Sequence, residues 1–167
     1  MSIKDSEMLQ AVRKVADYQF GKGVGGKLFP DGVSFTISKK TGRVRQILYR
    51  GELLATLNPL SGLLNLTVEG AKRLAADGRI ESRWVKVQDE VASYIENGSN
   101  VFAKHVIDAD EEIRPMEEVI VLNSRNEVIA VGKALLSGIE MRDFKKGVAV
   151  RTRRGRAEKA KKKKDTK

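Results

Sequence analysis

Short apolar runs, each closed by a turn sequence, constrain the fold of the second half of this chain more than any other feature. Taken in order, these runs are Arg83–Val87, Val101–Ile107, Glu118–Leu122, Glu127–Leu135 and Val148–Arg153. Their length and their β-branched residues predict strands, and the turn Asn123–Asn126 predicts that the third and fourth runs form a hairpin. Asp89 caps a predicted helix that ends near Glu96. Because βαβ crossover units are missing, the pattern favours a small β-barrel over a doubly wound sheet.

The first 80 residues carry a different pattern. Apolar residues recur with a period near 3.6 up to Phe20, which predicts a helix capped by Asp5 or Ser6. Alternating segments then predict an antiparallel meander of three strands, at 33–38, 43–50 and 53–57. Thr67 caps a predicted helix over 68–76. The predicted fold class is therefore α+β, a small N-terminal α/β domain with an antiparallel meander followed by a β-barrel.

A glycine-rich segment after the first helix formally matches a nucleotide-binding motif. Gly21, Gly23 and Gly26 spell G-x-G-x-x-G, the dinucleotide fingerprint. That fingerprint requires a strand before the glycines and a helix after them. Here a helix precedes them, and Gly21 stands where a helix C-terminal glycine belongs. We therefore interpret the segment as a flexible helix stop and predict no nucleotide cofactor.

Composition excludes several kinds of catalytic and metal site. The chain has no cysteine and a single histidine, His105, so zinc–thiolate sites and cysteine nucleophiles are excluded. A Ser-His-Asp triad would need His105, and no G-x-S-x-G motif accompanies it. The acidic run Asp108–Glu112 lacks the glycine of an EF-hand loop, which favours a solvated turn. No apolar run has the length of a transmembrane helix, so we expect a cytoplasmic protein with no membrane partner.

Positive charge is concentrated at the end of the chain. The net charge is +10, and residues 151–167 hold ten basic and two acidic residues, so residues 1–150 carry only +2. Basic arms bind nucleic acid by releasing counterions from phosphates, whereas the alternative is a solvated tail that only aids solubility. The arginines begin inside the final predicted strand, which favours nucleic acid. We predict that residues 156–167 form a disordered basic tail.

The segment Val101–Gly155 resembles a PUA domain, the RNA-binding module of pseudouridine synthases and archaeosine transglycosylases. The resemblance rests on the strand ending in Ile107-Asp108, the turn Arg114-Pro115, the hydrophobic hairpin with AVGKA, and the closing GVAV. It implies that the predicted barrel is of the PUA type. We divide the chain into an N-terminal domain at 1–80, a PUA domain at 81–155 and the tail at 156–167.

The upstream segments are similar to the part of archaeal archaeosine tRNA-guanine transglycosylase that precedes its PUA domain. The segments ADYQFGKGVG, SKKTGRVRQ and GELLATLNPLSGLLNLTVEGAKRL carry this resemblance in order. That family's catalytic part is a TIM barrel with a cysteine-rich zinc site, and a barrel needs about 200 residues or more. Because this chain has neither that length nor any cysteine, the resemblance implies a non-catalytic protein rather than an enzyme.

The resemblance also implies which residues contact RNA. In PUA domains the segment around Ala103–Lys104 and the edge formed by the last strand flank the RNA, and arginine forks suit phosphate groups. The predicted RNA-binding residues are Phe102, Ala103, Lys104, His105, Arg114, Gly132, Lys133, Arg151, Arg153 and Arg154. No metal ligand is predicted. Gly132 has an alternative role, close approach of two backbones.

Two functions remain open at this stage. The first is a tRNA-binding protein that acts as an accessory, separately encoded C-terminal module of a transglycosylase system, with a catalytic transglycosylase subunit as partner. Its ligand would be the acceptor stem and 3′ end of tRNA, recognised by shape, phosphates and unpaired bases. The alternative is a PUA protein associated with the ribosome or with translation, without a role in tRNA modification.

Overall fold

The chain begins with a long helix, whose first turn lies earlier than the sequence predicted. The computed structural model describes residues 2–159, and helix α1 runs over Ile3–Phe20. Ser2 is the N-cap, because its hydroxyl accepts the backbone N–H of Asp5, so the predicted caps are wrong. Gly21 follows the helix with φ of 120°, a value that favours glycine, and its predicted position at the helix end is confirmed.

The glycine-rich segment contains a short second helix that was not predicted. Helix α2 runs over Val24–Leu28, and the Gly25 N–H donates to Asp17 Oδ1 at 2.6 Å. A Cβ on Gly25 would lie 2.3 Å from the carbonyl oxygen of Arg13, so only glycine lets α2 approach α1 this closely. The segment therefore joins and packs two helices, and the strand–turn–helix order of a dinucleotide fingerprint is absent at these residues.

The N-terminal domain contains a four-stranded antiparallel sheet with helices on one face. The strands, adjacent in chain order, are β1 (Ser34–Ile37), β2 (Val44–Tyr49), β3 (Glu52–Leu57) and β4 (Leu64–Leu66). Strand β4 was not predicted. Helix α3 (Val68–Leu74) follows, and Thr67 caps it as predicted by accepting the Gly70 N–H at 3.0 Å. Side chains of α1 and α3 pack on the inner sheet face around Ile47 and Ala55, which are fully buried.

The second half forms a six-stranded, nearly closed barrel. Its elements are β5 (Trp84–Val87), α4 (Asp89–Glu96), β6 (Val101–Phe102), β7 (Val106–Ala109), β8 (Glu118–Leu122), β9 (Val128–Ala134), α5 (Gly138–Asp143) and β10 (Val148–Gly155). The strand order is β6-β10-β9-β8-β5-β7, and β5–β8 is the parallel pair. The two edge strands, β6 and β7, follow each other in the chain, so the sheet curls until its edges meet. The α+β prediction and the β8–β9 hairpin are confirmed. The predicted cap Asp89 is wrong, because Gln88 is the N-cap of α4 and Asp89 is its first residue.

One predicted strand of the barrel is interrupted. The run Val101–Ile107 was expected to be continuous, but a single 3₁₀ turn, Ala103–His105, separates β6 from β7. The prediction that His105 lies in an alternating strand is therefore wrong. Because the chain passes from β6 to β7 at this turn, its side chains lie at a corner of the barrel and do not alternate between the two faces of the sheet.

The two domains share one hydrophobic core. All five residues of β8 are buried, because Val119 and Val121 face the barrel interior while Ile120 and Leu122 pack with the N-terminal domain. Val128 and Val131 of β9 join the same shared core. The outer face of the β8–β9 hairpin is thus covered by the helices and sheet of the N-terminal domain. Within residues 2–159, no helix is long and apolar enough to span a lipid bilayer.

Candidate nucleic-acid interface

The 3₁₀ turn brings four of the predicted RNA-binding residues together at one corner of the barrel. The Phe102 ring is 46% exposed, and its centroid lies 6.5 Å from that of His105 in an edge-to-face arrangement. Lys104 is exposed, whereas Ala103 is buried and anchors the turn. An exposed aromatic ring beside a lysine supplies a stacking surface and a cation.

A second exposed segment, which sequence reasoning missed, lies against this turn. The Ala103 N–H donates to the Gly147 carbonyl at 2.9 Å, which holds the turn beside the residues that follow α5. Phe144 is 44% exposed there, and Lys145 and Lys146 are exposed. An aromatic residue followed by two lysines and a glycine turn was the available sequence signal. We define the Phe102–His105 turn and Phe144–Gly147 together as the corner surface.

Strands β9 and β10 carry a neighbouring pair of cations. Arg151 lies directly opposite Lys133 in the antiparallel register, and Arg151 is exposed. Gly132 faces Thr152, and a Cβ at this position would lie 2.2 Å from the Arg151 carbonyl oxygen. The close backbone approach expected at Gly132 is therefore observed. Strand β10 lies between β6 and β9, so these cations are on the two strands that follow β6 in the sheet order, and β6 carries Phe102.

Arg153 lies at a β-bulge that turns its side chain toward the N-terminal domain. The register with β9 shifts between Thr152 and Arg154, so Arg153 has no partner opposite it. Its Nη1 donates to Glu118 Oε1 at 2.8 Å, and its Nη2 contacts Glu118 Oε2 and donates to the Leu66 carbonyl at 2.7 Å. The Leu66 N–H in turn donates to Glu118 Oε2 at 2.6 Å. This bridge, Arg153–Glu118–Leu66, connects β10 and β8 to β4, so the RNA contact predicted for Arg153 remains a prediction.

The other arginines near the end of the chain differ in the acceptors and carboxylates that their guanidinium groups contact. Arg154 donates to the Glu158 carbonyl at 3.2 Å. Arg156 pairs with Glu96 at 3.0 Å and with Glu127 at 3.6 Å. The pKa of the Glu127 carboxyl is lowered, mainly by the hydrogen bond from Asn123 and then by Arg125. Arg114 lies apart from the corner surface, in the exposed loop between β7 and β8.

The described residues contain no metal site and include only the first four residues of the predicted tail. Within residues 2–159, no group of three or more histidine or acidic side chains is placed to hold a metal ion. The predicted tail falls almost entirely outside the described residues, apart from 156–159. Strand β10 itself extends to Gly155, and the Arg156 N–H donates to the Ile129 carbonyl at 2.8 Å.

Two family models match the two domains in turn. Residues 10–77 match the patch-forming domain C2 of tRNA-guanine transglycosylase, and residues 83–156 match the PUA domain. The chain thus contains a C2-type domain followed by a PUA domain, and it resembles the C-terminal region of archaeal tRNA-guanine transglycosylase. We therefore refer to its halves as the C2 domain and the PUA domain.

Curated relatives and solved structures agree with this architecture. The chain is 44% identical to a tRNA-guanine(15) transglycosylase of Methanothermobacter thermautotrophicus over 147 residues, 88% of this chain but 22% of the relative. The corresponding protein of Thermococcus kodakarensis is 44% identical over 89% of this chain and 25% of its own length. The chain thus spans about a quarter of the curated relatives that it matches.

Among solved structures, a hypothetical protein of Pyrococcus horikoshii superposes with a TM-score of 0.73 at 22% identity, over 92% of each chain. A conserved PUA domain protein of Thermoplasma acidophilum gives 0.65 at 21% identity, over 95% of this chain and 93% of that one. At these identities the likeness concerns the fold alone. Both halves of the chain are covered in each superposition, so the combination of the two domains is shared.

Proposed function

We propose that the chain is a non-catalytic RNA-binding module that grips tRNA for a separately encoded, transglycosylase-like catalytic subunit in the cytoplasm. The relatives that match both domains are named tRNA-guanine(15) transglycosylases, and this chain corresponds to about a quarter of their length. The two domains of this chain correspond to the C2 and PUA parts of those relatives, and neither has the eight-stranded (β/α) architecture of a catalytic TIM barrel. The role left to this chain is to bind and position the RNA.

The corner surface is the observation that carries the proposal. It places two half-exposed aromatic rings, Phe102 and Phe144, beside three exposed lysines, Lys104, Lys145 and Lys146. Stacking on aromatic rings requires unpaired bases, whereas lysines bind phosphates. A duplex with a short single-stranded end offers both features at one place. The acceptor stem and the 3′ end of tRNA have this form, and Lys133 and Arg151 extend the cationic edge along the stem.

The ligand is tested by competition binding with three RNAs at fixed salt. Intact tRNA, tRNA without its 3′ single strand and a plain duplex separate stacking on the 3′ end from contacts to the stem. Phe102→Ala should reduce the difference in binding free energy between intact tRNA and tRNA without its 3′ single strand by about 1–3 kcal/mol, the range for one stacked base. Tyr94→Ala is the matched control, because Tyr94 is 66% exposed on α4, away from the corner surface.

The Lys104→Ala variant should weaken binding to intact tRNA and, by a similar factor, to tRNA lacking its 3′ strand, because it removes a phosphate contact. If Phe102→Ala and Tyr94→Ala keep the same preference for intact tRNA, the RNA lies on another face of the barrel. The comparison therefore tests the position of the RNA as well as its identity.

The accessory role is tested by reconstitution. The purified protein alone should not incorporate a 7-deazaguanine base into tRNA, whereas addition of a barrel-bearing transglycosylase subunit from the same cells should give incorporation. Incorporation by this chain alone would contradict the proposal. Sequencing the RNA that co-purifies with the protein distinguishes the alternative, because a ribosome-associated PUA protein would bring down ribosomal or initiator RNA.

A further inference from the structure

The C2 sheet has an open face that carries a row of polar side chains. Thr36 pairs with Gln46, Gln46 with Thr56, and Thr56 with Asn65, so one side chain from each strand lies in a line across the sheet. Adjacent strands are about 4.8 Å apart, which makes the row about 14 Å long. The helices pack on the opposite face, around Ile47 and Ala55.

The donors and acceptors of this row are not used by the fold. Within residues 2–159, the hydroxyl and amide groups of the four side chains make no hydrogen bond to other protein groups. All four side chains remain at least partly exposed. The row therefore offers an unfilled set of neutral hydrogen-bonding groups.

Three cationic side chains lie beside the row on one side, and the sequence around them contains no acidic residue. Lys39, Lys40 and Arg45 line a shallow cavity of about 740 Å³ together with Thr36, Gln46, Thr56 and Asn65. No acidic residue occurs between Asp31 and Glu52, and no charged residue of either sign occurs from 53 to 68. Among residues 2–159, Lys39, Lys40 and Arg45 form no ion pair. Their charge is therefore available to an anionic ligand.

The chemistry of this face suits an RNA backbone. Hydroxyl and amide side chains bind phosphate oxygens and the 2′-hydroxyl, and lysine and arginine bind phosphates. No aromatic residue lines the cavity among the described residues, so bases have nothing to stack on. At the other end, Thr56 and Asn65 also line the groove that contains Arg154 of β10. The face thus leads from the β1–β2 turn to the PUA domain.

We propose that this open face of the C2 sheet is a second RNA site, which binds the sugar–phosphate backbone of the RNA held at the corner surface. This inference rests on the proposed function. The ligand at the second site is recognised by charge and by ribose hydroxyls, independently of base sequence. The row and the cations act together, the cations setting the salt dependence and the row adding hydrogen bonds.

Binding of intact tRNA by fluorescence anisotropy over a series of salt concentrations tests the site. The triple variant Lys39→Ala, Lys40→Ala, Arg45→Ala should bind about 10- to 100-fold more weakly near 0.1 M salt. Its log–log salt slope should be smaller by about 2, since each phosphate contact contributes about 0.7–0.9. The pair Thr56→Val, Asn65→Leu should weaken binding about 2- to 10-fold with the slope unchanged, because it removes only neutral hydrogen bonds.

The matched control is Lys14→Ala, Lys22→Ala, Arg79→Ala, which removes the same charges from exposed positions outside the open face. If the open-face triple variant shows the same affinity and slope as this control, the second site is refuted. Polyglutamate serves as a model of an acidic protein. If the open-face triple variant keeps its affinity for tRNA but loses binding to polyglutamate, the face binds an acidic protein partner and the assignment to RNA is overturned. Failure of the unmodified chain to bind tRNA would instead refute the proposed function. If Lys104→Ala weakens tRNA binding and the open-face variants do not, the second site is refuted and the proposed function stands.

Discussion

Replacing Arg153 should destabilise the protein because it leaves a buried carboxylate without its partner. The Glu118 side chain is only 1% exposed, whereas that of Arg153 is 34% exposed. Breaking a buried ion pair from one side costs about 3–5 kcal/mol. Because water reaches part of the guanidinium, we expect Arg153→Leu to lower the free energy of unfolding by about 2–4 kcal/mol.

A second substitution identifies the source of this loss. Glu118→Gln removes the buried charge and keeps an oxygen that can accept the Leu66 N–H, which now donates to Glu118. The double variant Glu118→Gln, Arg153→Leu should therefore recover part of the loss, with a coupling energy of about 1–3 kcal/mol. Additive losses would mean that charge burial is not the cause.

Urea unfolding followed by tryptophan fluorescence measures the effect directly. Trp84 is the only tryptophan of the chain, and it packs against the core that both domains share. Arg151→Leu is the matched control, because Arg151 is exposed on the same strand and should change stability by less than about 0.5 kcal/mol. If Arg153→Leu costs no more than Arg151→Leu, the interdomain bridge does not stabilise the fold.

Three further outcomes are expected from local features of the chain. Gly132→Ala should lower the free energy of unfolding by about 1–3 kcal/mol or more, seen as a lower Tm, because the new Cβ would meet the Arg151 carbonyl. Gly26→Ala is the control, because its new Cβ would meet no atom within 4 Å. Ser137→Ala should cost about 1 kcal/mol in urea unfolding, because Ser137 and Glu140 form a capping box at α5, whereas Ser99→Ala, at an exposed position, should cost less than about 0.5 kcal/mol. Truncation after Lys159 should keep the fold and reduce the salt slope of RNA binding by about 0.7–0.9 for each phosphate that the tail neutralises, and an unchanged slope would mean that the tail only aids solubility.

The sequence predicted the central hairpin of the barrel well because strands β8 and β9 are buried on both faces. Strand β8 reads as a continuous apolar run, and such runs identify a strand without saying what covers each side. The pattern could not show that Ile120 and Leu122 face a second domain while Val119 and Val121 face the barrel. Strand β4 was missed because three residues beside a proline and a glycine carry little periodic signal.

The resemblance to PUA domains supplied one part of the corner surface, the Phe102–His105 turn, but not the other. Phe102 to His105 were identified as a group, although the 3₁₀ turn that projects them was not. The Phe144–Gly147 segment was missed because the hydrogen bond from Ala103 to Gly147 joins distant parts of the chain. The position of Arg153 depends on a bulge in β10, which alternation in the sequence does not reveal.

The core that the two domains share limits how this protein can be divided or recombined. A PUA domain cut out near residue 80 would expose Ile120, Leu122, Val128 and Val131, all at most 4% exposed in the intact chain. It would also lack the Leu66 groups that meet Arg153 and Glu118. Such a fragment would carry an apolar strip on its surface and would tend to aggregate. The smallest unit that can be grafted onto a catalytic domain is therefore the C2–PUA pair.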